Sequence, residues 1–212
     1  MIIKICGLKR KKDITDCCKL GVGFLGFNFY QKSKRYVKPE NLKKVICSIP
    51  EKTKKIGVFV NSSTEEIRDV VEKRQLDGIQ LHGNETLEFC IKIRKIFPDK
   101  IIIKAFRINK RLPGNIDKYP VDYFLFDSAD DRNFGGTGKT FDWSVLKKLE
   151  DKNIKFFVSG GINSKNVKKL FFVVKPSGID VASGVEKKPG IKDIKKIKSL
   201  LKAIKSIIGE QE

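Results

Sequence analysis

Three side chains that can move protons close short apolar runs in a 212-residue chain. Cys6 ends "IIKIC", His82 ends "DGIQLH" and Asp127 ends "DYFLFD". A thiolate can take a proton from carbon, and a carboxylic acid can deliver one to oxygen. Each also has a plainer use. Free cysteine packs as a small hydrophobe, an aspartate caps the loop that follows it, and a histidine can be a hydrogen-bonded structural residue as readily as a substrate contact. Strand alternation puts Lys4 on the same face as Cys6, Gln80 with His82, and Leu125 with Asp127. Lys4 would lie roughly 7 Å from Cys6 along the strand, where an ammonium would help to keep the thiol ionised.

Glycine-rich turns supply a second kind of chemistry. "SGG" (159–161) and "SGV" (183–185) each follow a β-like run, and "GGTGKTFDW" (135–143) follows "DYFLFD". Glycine lets backbone N–H groups approach an anion, and a helix N-terminus adds a favourable dipole. "GGTGK" lacks the GxxxxGK[ST] spacing of a nucleotide-triphosphate loop.

The elements that must position these groups are eight β-branched or aromatic runs: 2–6, 24–29, 55–60, 77–82, 101–106, 122–127, 155–160 and 178–183. Their starts lie about 20 to 33 residues apart, room for a strand, a crossover helix and two loops. Ser63 and Glu66 form a capping-box pattern, Asn163 is a plausible cap for the segment that follows, and Ile191, Ile194, Ile197, Leu201, Ile204 and Ile208 form one apolar stripe near the end. Pro113 and Gly114 allow only a short or irregular fifth helix. The pattern predicts an α/β chain, residues 1–212 as a single compact (β/α)8 barrel, with a doubly wound open sheet as runner-up. In a barrel, active groups gather at strand C-terminal ends, and phosphate often sits at the loops after strands seven and eight.

Composition narrows the function. The net charge of +20 raises nucleic-acid binding, but the lysines are spread along the chain with no basic tail or aromatic RNA-binding motif. A positive field equally suits a small phosphorylated or carboxylated substrate. The five cysteines include no CxxC pair, and one histidine excludes a multi-histidine metal site. No apolar run approaches a membrane span, and charges occupy the place of a signal-peptide core, so a cytoplasmic location is expected.

The ordered set "KICG", "GFNFYQKSKRYV", "GVFVN", "IQLHG", "FDS", "GGTGKTFDW", "VSGGIN" and "DVASGVE" resembles the phosphoribosylanthranilate isomerase family of tryptophan biosynthesis over nearly the whole chain. The resemblance implies an isomerase without metal or organic cofactor. Its substrate is N-(5'-phosphoribosyl)anthranilate, and an Amadori rearrangement gives 1-(2-carboxyphenylamino)-1-deoxyribulose 5-phosphate. It also implies Cys6 as general base, Asp127 as general acid, Arg35 as partner of the anthranilate carboxylate and Asp180 as a substrate contact. Gln80 and His82 join the substrate-binding set, and Gly136, Gly160, Gly161, Ser183 and Gly184 the phosphate loops. Ala182 stands where the family often has a second serine. The expected partner is the small phosphorylated substrate, with no nucleic acid and no membrane; a homodimer is left open. The competing readings are another sugar-phosphate isomerase or epimerase on the same barrel, and a basic nucleic-acid-binding protein.

Overall fold

The computed structural model describes residues 1–108, 112–128, 140–150 and 152–209. Eight parallel strands close into a barrel in sequence order: β1 (Ile2–Cys6), β2 (Phe24–Asn28), β3 (Lys54–Phe59), β4 (Gly78–Leu81), β5 (Ile101–Ile108), β6 (Tyr123–Ser128), β7 (Phe156–Val158) and β8 (Gly178–Val181). β8 pairs back onto β1, with Lys4 opposite Asp180, and this closure rules out the open sheet. Helices α1 (Lys11–Lys19), α2 (Pro39–Ile46), α3 (Thr64–Lys73), α4 (Leu87–Ile96), α5 (Lys147–Glu150), α6 (Val167–Val173) and α7 (Ile194–Gly209) surround it. No described helix is long and apolar enough to cross a membrane.

The strands alternate as their sequences require. One set of faces fills the barrel axis: Phe24, Ile56, Ile103, Ala105, Leu125 and Phe157 form a separate buried cluster. Phe24 reaches across it, 5.7 Å from the Phe157 ring and 6.3 Å from Tyr123. The opposite faces, Ile5, Leu25, Ile79, Phe126 and Ile179 among them, pack against the helices. Each such side chain stabilises the fold by about 1.5–3 kcal/mol relative to exposure. Above the apolar plug comes a polar layer, Lys4, Gln80 and Asp180, all 4% exposed or less. The barrel mouth lies above that, so the plug supports the site from below.

Local signals account for most helix starts. The Ser63 side chain accepts from Glu66 N while the Glu66 carboxylate accepts from Ser63 N, the full capping box at α3. Such a cap is worth about 1 kcal/mol. Among the described residues between β5 and β6 the helical structure is one 3-10 turn (Ile116–Lys118), in keeping with Pro113 and Gly114. α6 begins at Val167, four residues after Asn163. Asn163 instead closes the turn before it, with its Oδ1 accepting from Lys165 N. The buried face of α7 is Ile197, Leu200, Ile204 and Ile207, so the stripe is rotated from the expected one; Ile194 and Leu201 flank it half-buried, and Ile191 lies before the helix, in a two-residue strand with Lys192.

One element has no counterpart in the sequence reading. After β8, a 3-10 turn (Ser183–Val185) leads into an antiparallel hairpin, β9 (Glu186–Lys188) and β10 (Ile191–Lys192). It turns at Pro189-Gly190, where Gly190 has φ +78°, a conformation that favours glycine. The "KPG" triplet was the available signal.

Candidate active site

Every described residue singled out for the site lines one cleft at the C-terminal ends of the strands: Cys6, Arg35, Gln80, His82, Asp127, Asp180, Gly160, Gly161, Ser183 and Gly184. The cleft encloses about 640 Å³, part of it open to solvent. Gly136 lies outside the described residues. Asn28, Ser33 and Ser159 also line the cleft and were not foreseen.

Cys6 is the last residue of β1 and half-buried. Its thiol fits because the neighbouring residue on β2 is glycine: a Cβ on Gly26 would lie 2.8 Å from Sγ and 3.0 Å from Lys4 Nζ. Lys4 shares the face of Cys6 as expected, but it is not devoted to it. Its Nζ donates to Asp180 Oδ1 at 2.9 Å, both groups essentially out of water. Burial pushes the Cys6 thiol up, Lys4 and Lys192 pull it down, and Asp180 adds to the upward push; burial prevails. The expectation that Lys4 helps to ionise Cys6 holds in direction, since the ammonium favours the thiolate by its charge and by a hydrogen bond, but burial outweighs it and the thiol sits above its ordinary range. Burial also opposes the Lys4 ammonium, but Asp180 and Cys6 outweigh it and raise its pKa.

Asp127, near the end of β6, is 3% exposed. Its Oδ1 accepts from the backbone N–H of Ser128 at 2.8 Å, and its Oδ2 lies 3.4 Å from His82 Nε2. His82 Nδ1 meets Gln80 Nε2 at 2.7 Å. With Gln80 Nε2 as the donor, Nδ1 accepts and Nε2 carries the proton on the side of Asp127. Because His82 is the only histidine in the chain, ¹⁵N spectroscopy can read its tautomer without overlap, and the neutral form should carry its proton on Nε2. Gln80→Leu should make that tautomer less dominant. A wild-type spectrum with the proton on Nδ1 would reverse the Gln80–His82 hydrogen bond.

Glu85 holds the loop that carries His82. Only 8% exposed, it accepts from Lys104 Nζ at 2.6 Å, Gly83 N at 2.9 Å and Asn61 N at 2.9 Å. Gly83 has no room for a side chain there, since a Cβ would lie 2.3 Å from Asn61 Oδ1.

Arg35 reaches the cleft from the loop after β2. Asn28 Oδ1 accepts from Tyr30 N, Asn28 Nδ2 donates to Ser33 Oγ, and Ser33 Oγ accepts from Arg35 N. The chain then rejoins β2, Val37 N donating to the Asn28 carbonyl. The arginine stem lies over Gly7, where a Cβ would be 2.5 Å from its Cδ. The guanidinium is bidentate to Glu186: Nε at 3.0 Å and Nη2 at 2.6 Å. Among the described residues nothing accepts from its Nη1.

The two glycine turns meet over the ends of β7 and β8. Gly160 and Gly161 have φ +86° and +62°, and the Gly161 carbonyl accepts from Asn163 Nδ2 and Asn166 Nδ2. Gly184 approaches Ile162 so closely that a Cβ would lie 1.9 Å from the Ile162 carbonyl oxygen. Gly184 is thus demanded by packing of one turn on the other, beyond any approach to an anion.

Known proteins share this arrangement. Residues 3–203 match the family model described as N-(5'phosphoribosyl)anthranilate (PRA) isomerase. A protein of that name from Crocosphaera subtropica is 39% identical over 210 residues, covering 98% of this chain and all of the relative. The crystal structure of phosphoribosyl anthranilate isomerase from Thermotoga maritima superposes with a TM-score of 0.88 at 36% identity, covering 97% of this chain and 100% of that one. A phosphoribosyl anthranilate isomerase solved in complex with reduced 1-(o-carboxyphenylamino)-1-deoxyribulose 5-phosphate superposes with a TM-score of 0.85 at 35% identity, covering the same shares. The chain belongs to the N-(5'-phosphoribosyl)anthranilate isomerase family.

Proposed function

We propose that this isomerase of tryptophan biosynthesis works by an acid–base Amadori rearrangement, with Asp127 as the acid and Cys6 as the base. Asp127 gives its proton to the ribose ring oxygen as the C1'–O bond breaks, and the anthranilate nitrogen lone pair forms the C1'=N bond. The Cys6 thiolate then takes the C2' proton. That C–H electron pair forms C1'=C2' while the C=N π pair returns to nitrogen. The resulting enolamine tautomerises to the ketone, so substrate and product are isomers and no oxidant or reductant is consumed. The open-chain product is 1-(2-carboxyphenylamino)-1-deoxyribulose 5-phosphate.

Each remaining group has a binding task. Arg35 presents a planar N–H edge suited to the anthranilate carboxylate. Gln80 and His82 orient Asp127 and contact the substrate together with Asp180. The turns with Gly160, Gly161, Ser183 and Gly184, joined by Gly136, hold the 5'-phosphate, whose binding energy fixes the sugar between acid and base. The observation that carries this reading is that one cleft is lined by a thiol from β1, a carboxyl from β6, an arginine edge and two glycine turns. The same proposal makes the protein cytoplasmic, acting on a small phosphorylated molecule; sedimentation of the purified chain reads its state as monomer or homodimer.

The direct test is to follow loss of fluorescence of freshly made phosphoribosylanthranilate in the presence of the enzyme that consumes the product. No loss above background would overturn the assignment. The phosphate site has its own test. Gly184→Ala forces the two turns apart, so KM should rise about tenfold or more with kcat less affected. Protection by inorganic phosphate against unfolding should vanish. An unchanged KM in the folded variant would move the phosphate elsewhere.

A further inference from the structure

Behind the wall of the cleft lies a buried charge pair that the steps above do not use. Lys192 is 4% exposed and Glu186 6%, and they face each other across the open end of the β9–β10 hairpin. Lys192 Nζ donates to Glu186 Oε1 at 2.8 Å, to the Cys6 carbonyl at 2.5 Å and to the Ala182 carbonyl at 3.3 Å. One ammonium therefore ties the end of β1, which bears the thiol, to the end of β8. Glu186, in turn, takes Nε and Nη2 of Arg35.

The hairpin itself is fixed. Gly190 N donates to Glu186 Oε1, Lys192 N to Asp13 Oδ2, and Lys196 Nζ to the Glu186 carbonyl. Asp13 is held from its other side by Arg10. Burial pushes Lys192 down against the support of Glu186, while Glu186 is held below its usual range by Arg35 and Lys192 despite its burial.

A strut alone does not need buried ions, which are expensive to desolvate and often replaceable by packing. Here the charges face two chemically useful groups. A cation bonded to the Cys6 carbonyl favours a negative sulfur on the same residue. A carboxylate gripping Nε and Nη2 fixes which edge of Arg35 remains for another anion. Both points rest on the proposed roles of Cys6 and Arg35. We propose that Lys192 and Glu186 are positioning residues: Lys192 favours the Cys6 thiolate, and Glu186 sets the Arg35 edge offered to a substrate carboxylate.

The charged and titratable groups around the thiol come from several elements. They are Lys4 on β1, Asp180 on β8 and Lys192 on β10, with His82, Asp127, Arg35 and Glu186 around the same mouth. The test therefore compares variants that differ in one of these charges. Alkylation of Cys6 by iodoacetamide is followed against pH by mass spectrometry of its peptide, in a Cys47→Ser background because Cys47 is exposed. Lys192→Met should move the alkylation midpoint up by about one pH unit, and Lys192→Arg should restore it. Should Lys192→Met fail to fold, Glu186→Gln is compared with Glu186→Gln/Lys192→Met, which leaves neither member of the pair buried without its partner. The double variant should show the higher midpoint. Coincident midpoints in either comparison would reduce Lys192 to a strut.

Glu186→Gln should raise KM about tenfold while kcat stays within about threefold, since binding of the carboxylate is lost more than chemistry. An unchanged KM would remove Glu186 from substrate positioning. The alkylation reports the thiol whether or not Cys6 is the base. Failure of the base assignment would appear separately, as retained turnover in Cys6→Ala.

Discussion

Cys6→Ala should lower kcat by about a hundredfold to ten-thousandfold, the scale of a general base, while the variant still binds a product analogue. The neighbours offer no substitute. Lys4 is a cation, and Asp180 already has Lys4 on Oδ1 at 2.9 Å. The truncation removes one sulfur from a half-buried site beside Gly26, so it leaves only a small void and the barrel should fold. Cys6→Ser should lose nearly as much, because a hydroxyl is far harder to ionise than a thiol. Near-normal turnover in the folded Cys6→Ala protein would return this residue to packing. The wild-type pH profile offers a check without mutation. Burial raises the thiol above its ordinary value, so the thiolate fraction grows only at higher pH. kcat/KM should accordingly keep rising beyond the pH at which an unperturbed thiol, near 8.5, would level off. A plateau at or below the ordinary thiol range would mean that another group is the base, or that substrate itself ionises the thiol.

Asp127→Asn should lower kcat by about a hundredfold or more with KM little changed. Asparagine keeps the shape, and its Oδ1 can still accept from Ser128 N, which now lies 2.8 Å from the carboxylate. It cannot supply an acidic proton to the ring oxygen. The substitution therefore isolates proton delivery from geometry better than Asp127→Ala, which would also leave His82 Nε2 without its partner at 3.4 Å. Activity within a few-fold of wild type would assign ring opening to another group. Since His82 is aligned on Asp127 by Gln80, the imidazole would then be the first candidate to examine.

The sequence by itself determined the barrel and the stations of its mouth. Period-two alternation in short β-branched runs specifies which residues share a face, and a reactive residue or glycine closing such a run marks a strand end. Cys6, His82, Asp127 and the turns at 160–161 and 183–184 were legible for that reason. Their convergence in one cleft follows once β8 pairs with β1. The capping box at Ser63 and the weakened fifth helix were equally local, each written in a few adjacent residues. What only the tertiary structure decided is the charge environment. Lys4 is a partner for Cys6, as its spacing suggests, but its Nζ also serves Asp180, 176 residues further along the chain, and burial decides the net shift of the thiol. Lys192 meets the Cys6 carbonyl across 186 residues, and Glu186 meets Arg35 across 151. The hairpin that delivers both was hidden in a lysine-rich stretch resembling the approach to a surface helix. Spacing along a strand fixes which way a side chain points. Which opposite charge reaches it first, and how much water is left between them, is set by how the closed barrel and the hairpin bring distant segments together, and a pKa depends on those distances and that burial.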